Sequence, residues 1–301
     1  MDRIFSPGKL LLTSEYVVLD GALALAVPTR PGQELFFEES ADGRCEVHWQ
    51  ATHQGKPWLQ IVINYHDWTI KETNLPEAAL FVVKTLKNVQ QLSKRRFQST
   101  DSYHFKTNLQ FPANYGLGSS STLMANLAEW AAVDAFELND RSLGGSGYDV
   151  AVAKVRTPIL YQLEEKKPNI TAVDFNPDFR DDLIFIHLNQ KQDSREGIGL
   201  YRSKEKPEAL IAEFSEITHN VLRTKSLSEF SDLMKLHEHK MSSFLGIPAV
   251  AQQHFPDCPS FTKSLGAWGG DFVMSTIFPG FLDYFSAKGF HTVLKWNEII
   301  R

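Results

Sequence analysis

Apolar and polar residues alternate along His104-Phe105-Lys106-Thr107-Asn108-Leu109-Gln110-Phe111. That period of two predicts a half-buried strand. Past residue 120 the period changes: Leu123, Leu127 and Trp130-Ala131 recur at helical spacing and predict a helix over 121–136. Between strand and helix lies Pro112-Ala113-Asn114-Tyr115-Gly116-Leu117-Gly118-Ser119-Ser120-Ser121-Thr122. Two glycines let a backbone approach a ligand closely. Free N–H groups and the helix dipole favour an anion at such a place. The consecutive hydroxyls add donors, and one of them could ligate Mg²⁺. A polar turn with a serine N-cap is the plain alternative, but a flexible linker would not sit between two such patterned elements. The loop matches neither G-x-x-x-x-G-K-[ST], nor G-x-G-x-x-G, nor G-x-S-x-G.

The same patterning covers the rest of the chain. Leu10 to Leu12 reads as a short buried strand. Asp20-Gly21 reads as a tight hairpin turn, and a second apolar run, Ala22 to Val27, is stopped by Pro28. Residues 33–70 look like β-hairpins, with strands over 34–38, 45–49 and 59–64 and a turn at Asp42-Gly43. Residues 77–92 predict an amphipathic helix with Leu80, Val83, Leu86 and Val89 on its buried stripe. Strands follow at 158–163 and 183–188, helices at 207–223 and 226–245, then strand 273–278, helix 280–288 and strand 291–296. The polar stretch 174–182 marks a domain boundary, giving domains 1–178 and 179–301. The class is α+β, an α/β two-layer arrangement.

Composition changes this picture little. A chain of 301 residues, 43% hydrophobic and 22% charged, is ample for a large core. The net charge of −5 argues against a general nucleic-acid binder. Two distant cysteines, Cys45 and Cys258, suggest neither a metal site nor a disulfide framework. No apolar leader and no long uncharged apolar run occur, so a cytoplasmic protein away from membranes is expected.

Four further stretches carry candidate chemistry. Lys9 follows Ser6-Pro7-Gly8, where a turn would hold it toward a site; an ordinary exposed lysine is the alternative. Gly144-Gly145-Ser146-Gly147 presents Asp149 at the start of an apolar run. That aspartate is either a helix cap or a base acting on a substrate hydroxyl. The loop 189–196 carries Lys191, Ser194 and Arg195, donors that suit a carboxylate or phosphate. His237-Glu238-His239 is not a zinc motif, because its histidines are not one helical turn apart. Gly266-Ala267-Trp268-Gly269-Gly270-Asp271 is a third glycine-rich turn.

Taken in order, these stretches resemble the three motifs of the GHMP kinases, the superfamily of galactokinase, homoserine kinase, mevalonate kinase and phosphomevalonate kinase. Ser6-Pro7-Gly8-Lys9-Leu10 with Ser14-Glu15-Tyr16-Val17-Val18-Leu19 resembles motif one, 112–121 motif two, and 266–271 motif three. Gly145-Ser146-Gly147-Tyr148-Asp149-Val150-Ala151 resembles the segment bearing the catalytic aspartate, and the nearest branch is the mevalonate/phosphomevalonate one. The resemblance implies a ribosomal protein S5 domain 2-like N-terminal domain and a ferredoxin-like C-terminal domain. It implies Asp149 and Lys9 as catalytic residues, with Lys9 keeping Asp149 ionised. ATP would be held by Pro112, Gly116, Leu117, Gly118, Ser119, Ser120 and Ser121. Substrate would be met by Glu15, Ser146, Lys191, Ser194, Arg195, Gly269, Gly270 and Asp271, and Mg²⁺ by Ser120 and Glu137. The implied partners are ATP and a small acidic metabolite, mevalonate or phosphomevalonate first; a homodimer is compatible, and neither nucleic acid nor membrane is expected. Two departures stand out: Trp268 replaces a glycine usual in motif three, and the segment from Ser121 to Asp149 is short. A homoserine or sugar kinase, an inactive binding protein of the same fold, and a serine hydrolase are the alternatives. The hydrolase lacks a recognisable histidine base.

Overall fold

A computed structural model describes the chain except for residues 191–193, 267 and 269; at Ser194 and Arg195 it describes the backbone alone. In chain order the elements are β1 (Asp2–Leu11), β2 (Ala24–Ser40), β3 (Glu46–His53), β4 (Lys56–Asn64), β5 (Thr69–Thr73), α1 (Pro76–Leu92), β6 (Ser102–Leu109), α2 (Ser119–Ala131), α3 (Ala135–Ser142), α4 (Tyr148–Val155), β7 (Ile159–Glu164) and β8 (Lys167–Ala172). Then come β9 (Leu183–His187), α5 (Ser194–Ser203), α6 (Leu210–Arg223), α7 (Leu227–Leu245), α8 (Val250–His254), β10 (Lys263–Leu265), β11 (Phe272–Thr276), α9 (Phe281–Ala287), β12 (Val293–Lys295) and α10 (Trp296–Ile299). The mixed α/β class, with one large and one small sheet, is as expected.

The chain forms two units. The first comprises Met1–Gly8, Pro31–Ala113 and Leu117–Arg156; the second comprises Lys9–Arg30, Asn114–Gly116 and Thr157–Arg301. The boundary expected after residue 178 falls inside the second unit.

In the first unit the strands run β5-β4-β3-β6-β2. β3 and β6 are parallel, while the other pairs are antiparallel. Alternate residues of the strands, among them Trp49, Ile61 and Phe105, turn to one face and pack with α1 and α2. Phe105 meets the edge of Trp130 at 4.7 Å between ring centroids. Each such side chain stabilises the unit by about 1.5–3 kcal/mol of removed apolar surface. α1 buries Ala79, Val82, Val83, Leu86 and Val89. Leu80 instead is 62% exposed, because the helix is rotated so that Ala79 and Val83 lead the buried face.

In the second unit, the first residues of β2 pair with β7, and β7 pairs with β8. A separate antiparallel sheet runs β10-β11-β9-β12. Pro28 does not stop β2. It and Pro31 lie outside the ladders to β7 (Ala24 to Ala26) and to β6 (Gln33 to Ser40), while β2 also pairs with β1. Asp20-Gly21 is not a two-residue hairpin: Val17–Asp20 is a 3-10 turn, closed by Gly21 at φ 91°. The loop expected to run to Glu196 gives way at Ser194 to α5, and β10, α8 and α10 are further short elements that no periodicity announced.

Candidate active site

In the first unit, residues 117–122 lead into α2. Gly118 is the N-cap of α2 and has φ 85°, a left-handed conformation natural to glycine. The first intrahelical bond runs from the Thr122 N–H to the Gly118 carbonyl at 3.0 Å. The N–H groups of Ser119, Ser120 and Ser121 therefore precede the helical ladder and offer an anion site. Their hydroxyls divide into two sets. Ser121 Oγ donates to the Gly118 carbonyl at 2.9 Å. Thr122 Oγ1 donates to Gln33 Oε1 and to the Ser119 carbonyl, each at 2.9 Å. These two hydroxyls fix the turn, while Ser119 is half-buried and Ser120 exposed.

Asp149 stands in the first turn of α4, whose N-cap Gly147 has φ 82°. It is half-buried, and its Oδ1 accepts the N–H of Val150 at 3.0 Å. Glycines 144 and 145 precede it with φ 76° and 95°, and Ser146 is half-buried. α4 packs on α2. Glu137 lies elsewhere on its helix surface. Half-exposed on α3, it takes Arg141 at 2.6 Å, one helical turn on. Among the described residues no group of three His, Cys, Asp or Glu could hold a metal ion.

In the second unit Lys9, Gly116 and Asp271 come together. Lys9 is not presented by a turn: Ser6 to Lys9 lie inside β1, and the lysine is buried. Its Nζ donates to the Gly116 carbonyl at 2.9 Å. Gly116 has φ 67°, and a Cβ there would lie 2.2 Å from Asp271 Cγ. Gly266, φ 79°, faces the same carboxylate, with a hypothetical Cβ 3.1 Å from Oδ2. Two α-carbons without side chains thus form a slot for the Asp271 carboxylate. The Asp271 backbone is tied to the end of β9, its N–H donating to the Gln190 carbonyl and its carbonyl accepting the Leu188 N–H.

Asn114 and Tyr115 are anchored alongside. His187 Nε2 lies 3.1 Å from the Asn114 carbonyl, and its Nδ1 accepts the Asn189 N–H at 3.2 Å. These partners assign the proton to Nε2 of a neutral ring. Burial pushes His187 below its ordinary 6.5, outweighing the Asn114 carbonyl and Asp271, which pull the other way. The Tyr115 ring lies 4.4 Å from the His187 ring and edge-on to Phe272 at 5.2 Å.

Glu15, expected to meet substrate, is instead engaged inside the second unit. It is 1% exposed, and Lys263 Nζ donates to its Oε1 at 2.5 Å. His237 Nε2 lies 3.2 Å from Oε2 but accepts the Ser14 N–H at 2.8 Å, so this proximity is a contact of two acceptors rather than an ion pair. Burial raises Glu15 despite Lys263, and burial holds His237 well below 6.5, with Lys263 adding to it. The neighbouring Glu238 accepts the N–H groups of Val250 and Ser264 and the Ser264 hydroxyl. The two partners of this pair, Glu15 and Lys263, are 248 positions apart in the chain.

Of the other expected substrate contacts, Lys191 and Gly269 lie outside the described residues, and Ser194 and Arg195 open α5. Gly270 is buried beside Asp271. Trp268 is also buried, in a cluster with Tyr16, Tyr201 and Phe214, so the departure from glycine supplies a core residue.

Neither a protein-family model nor a curated protein matches the chain by sequence. Solved structures do. Phosphomevalonate kinase from Streptococcus pneumoniae, in complex with phosphomevalonate and AMPPNP, superposes with a TM-score of 0.73 at 15% identity, over 98% of this chain and 100% of that one. The chain has the fold of that kinase. Mevalonate kinase from Methanococcus jannaschii matches with a TM-score of 0.68 at 15% identity, covering 97% of this chain and 96% of the other. Galactokinase from Lactococcus lactis, complexed with galactose, matches with a TM-score of 0.64 at 13% identity, covering 96% and 88%. This kinase fold accommodates acidic and neutral acceptors alike, judging by the ligands those structures contain.

Proposed function

We propose that the chain is an ATP-dependent kinase that transfers the γ-phosphoryl group to a small acidic metabolite, mevalonate or phosphomevalonate first. The reading is carried by the N-terminus of α2, where three N–H groups precede the helical ladder, in a fold that matches an AMPPNP-bound kinase over almost its whole length. Backbone N–H groups at a helix start, preceded by left-handed glycines, suit polyphosphate. Ser119 and Ser120 would add hydroxyl donors there. Asp149 would orient the acceptor hydroxyl or take its proton. Lys9 would stabilise charge during transfer, and its hold on the Gly116 carbonyl sets the entry to the loop. The sequence of the loop before α5, with Lys191, Ser194 and Arg195, favours an acidic acceptor, since burying a carboxylate without a cation is costly.

Mg²⁺ accompanies ATP in such transfers. Ser120 and Glu137 are the expected ligands; among the described residues no group of three His, Cys, Asp or Glu could hold the ion by itself.

The test is ADP release, coupled to a reporter enzyme, over mevalonate, phosphomevalonate, homoserine and a set of sugars including galactose. Release that depends on one of the two mevalonates is expected. Turnover with a neutral sugar alone removes the acidic-acceptor assignment, and no release with any acceptor removes the kinase reading.

A further inference from the structure

We infer that the gap between Glu15 Oε2 and His237 Nε2 is a proton-binding switch: empty, it holds two acceptors face to face, and filled, it bonds the segment after β1 to α7. All the groups that make it belong to the second unit. Glu15, His237, Glu238 and Lys263 are each no more than 3% exposed. Lys263 Nζ divides its donors between Glu15 Oε1 at 2.5 Å and the Ser264 carbonyl at 2.7 Å. With His237 neutral, two ionised carboxylates face a single ammonium, so the cluster keeps one uncompensated negative charge away from water. Burying such a charge is costly, and one bound proton would remove it.

Hydrogen bonding decides where that proton goes. Glu238 Oε1 accepts the Val250 N–H at 3.1 Å and the Ser264 hydroxyl at 3.0 Å, and its Oε2 accepts the Ser264 N–H at 3.1 Å. Both oxygens are thus met by donors, which suits an anion. The imidazole is no better a host. The Ser14 N–H donates to Nε2 at 2.8 Å, so the ring's own proton is on Nδ1, where it meets no partner among the described residues. A second proton, on Nε2, would evict the Ser14 N–H and set an imidazolium beside the Lys263 ammonium. Glu15 Oε2 is the opposite case. It meets no donor among the described residues, and the nitrogen 3.2 Å away offers it a lone pair. A proton there displaces nothing from Oε2, and Nε2 shares its lone pair between the Ser14 N–H and the carboxyl O–H. Burial raises Glu15 and lowers His237, the order that this placement needs. α6 faces the pair with neutral groups: the Phe214 ring stands edge-on to His237 at 4.8 Å, and the Thr218 hydroxyl lies 2.8 Å from Thr13 Oγ1 and 3.3 Å from Ser14 Oγ. Ser14 and Glu15 lead from β1 to the turn at Val17. In acid that stretch gains a second tie to α7 beside the Ser14 N–H, whatever reaction the chain performs.

The test is NMR on the whole chain, with ¹³C at the glutamate carboxyls and ¹⁵N in the backbone and histidine rings, followed from about pH 8 to about pH 4 so that both residue types are covered. Glu15→Gln identifies the Glu15 signal by removing it; if that variant does not fold, His237→Gln identifies it by moving its midpoint. The Glu15 carboxyl should take up its proton above its ordinary 4.5, while His237 keeps Nδ1–H and does not become an imidazolium over the same range. The Ser14 amide signal should shift with the Glu15 midpoint, as Nε2 comes to be shared. In Glu15→Gln that shift should be lost, because the side-chain amide N–H fills the gap at every pH. A Glu15 midpoint at or below 4.5 overturns the proton site. Conversion of His237 to an imidazolium before Glu15 titrates overturns the placement of the proton on Glu15. A Ser14 amide that does not follow the Glu15 titration overturns the switch.

Discussion

The Gly116 α-carbon fits closely against the Asp271 carboxylate, and Gly116→Ala probes that fit. Two costs arise. Alanine at φ 67° adopts a left-handed conformation, which costs an L-residue about 1–2 kcal/mol. Its Cβ would also start 2.2 Å from Asp271 Cγ and 2.3 Å from Oδ2, far inside van der Waals contact. Relief requires moving either a carboxylate whose own backbone is tied to β9 or the loop held by Lys9. Overpacking of this kind costs about 1–3 kcal/mol. The single substitution should therefore destabilise by about 2–5 kcal/mol, measured by urea unfolding. Asp271→Ala on the same background separates the two parts. It removes the carboxylate atoms nearest the new methyl but leaves the backbone strain, so a double-mutant cycle should show a favourable coupling of about 1–3 kcal/mol. Wild-type stability in Gly116→Ala, or strict additivity in the cycle, would refute the packing argument.

Three further outcomes follow from the same geometry. Asp149→Asn should leave nucleotide affinity, measured by calorimetry, nearly intact and lower turnover by roughly 10²–10⁴-fold, the usual share of general acid–base catalysis; near wild-type turnover would remove Asp149 from that role. Lys263→Met strands the buried Glu15 carboxylate and should cost about 3–5 kcal/mol at neutral pH. Because burial already raises Glu15, the loss should shrink as the pH falls and the carboxyl takes up a proton; a pH-independent loss would contradict the pairing. His187 and His237 are both depressed below 6.5, so the unfolded chain binds their protons first, and the stability they confer, complete above about pH 6.5, is lost as the pH falls below it. His237→Gln, which can still accept the Ser14 N–H, should flatten that acid limb by up to about 1.4 kcal/mol per pH unit in urea titrations, and an unchanged slope would argue against a neutral His237.

Much of this architecture is legible in the sequence where a local pattern governs the outcome. The alternation at 104–111 and the glycines before α2 and α4 needed only their neighbours to be understood. The period misled at α1, where small Ala79 is buried and larger Leu80 is not, because rotation about a helix axis is set by what it packs on. Pro28 reads as a strand end by local chemistry, yet β2 passes through it, since which of its residues pair with β6 and β7 is a property of the assembled sheet. At Glu137 the local partner was visible in the sequence: Arg141, four residues later, takes its carboxylate. Glu15 could not be placed from motif one alone, because its partner Lys263 comes from the far end of the chain. Trp268 looked like damage to a glycine turn, whereas the cavity it fills is built by residues of other segments.

The chain passes between the two units at residues 8/9, 30/31, 113/114, 116/117 and 156/157. Neither unit can therefore be excised as a continuous gene fragment. A polypeptide of residues 1–156 alone would carry 9–30 stripped of the helices that cover Val17 and Ala22, exposing apolar surface prone to self-association. On the ribosome the same constraint becomes a matter of timing. Lys9 to Arg30 leave the tunnel early, yet Lys263, the partner of Glu15, is made 248 residues after it. The nascent chain must keep that segment from self-associating through most of its synthesis, at roughly 5–20 residues per second, before the partner of Glu15 exists.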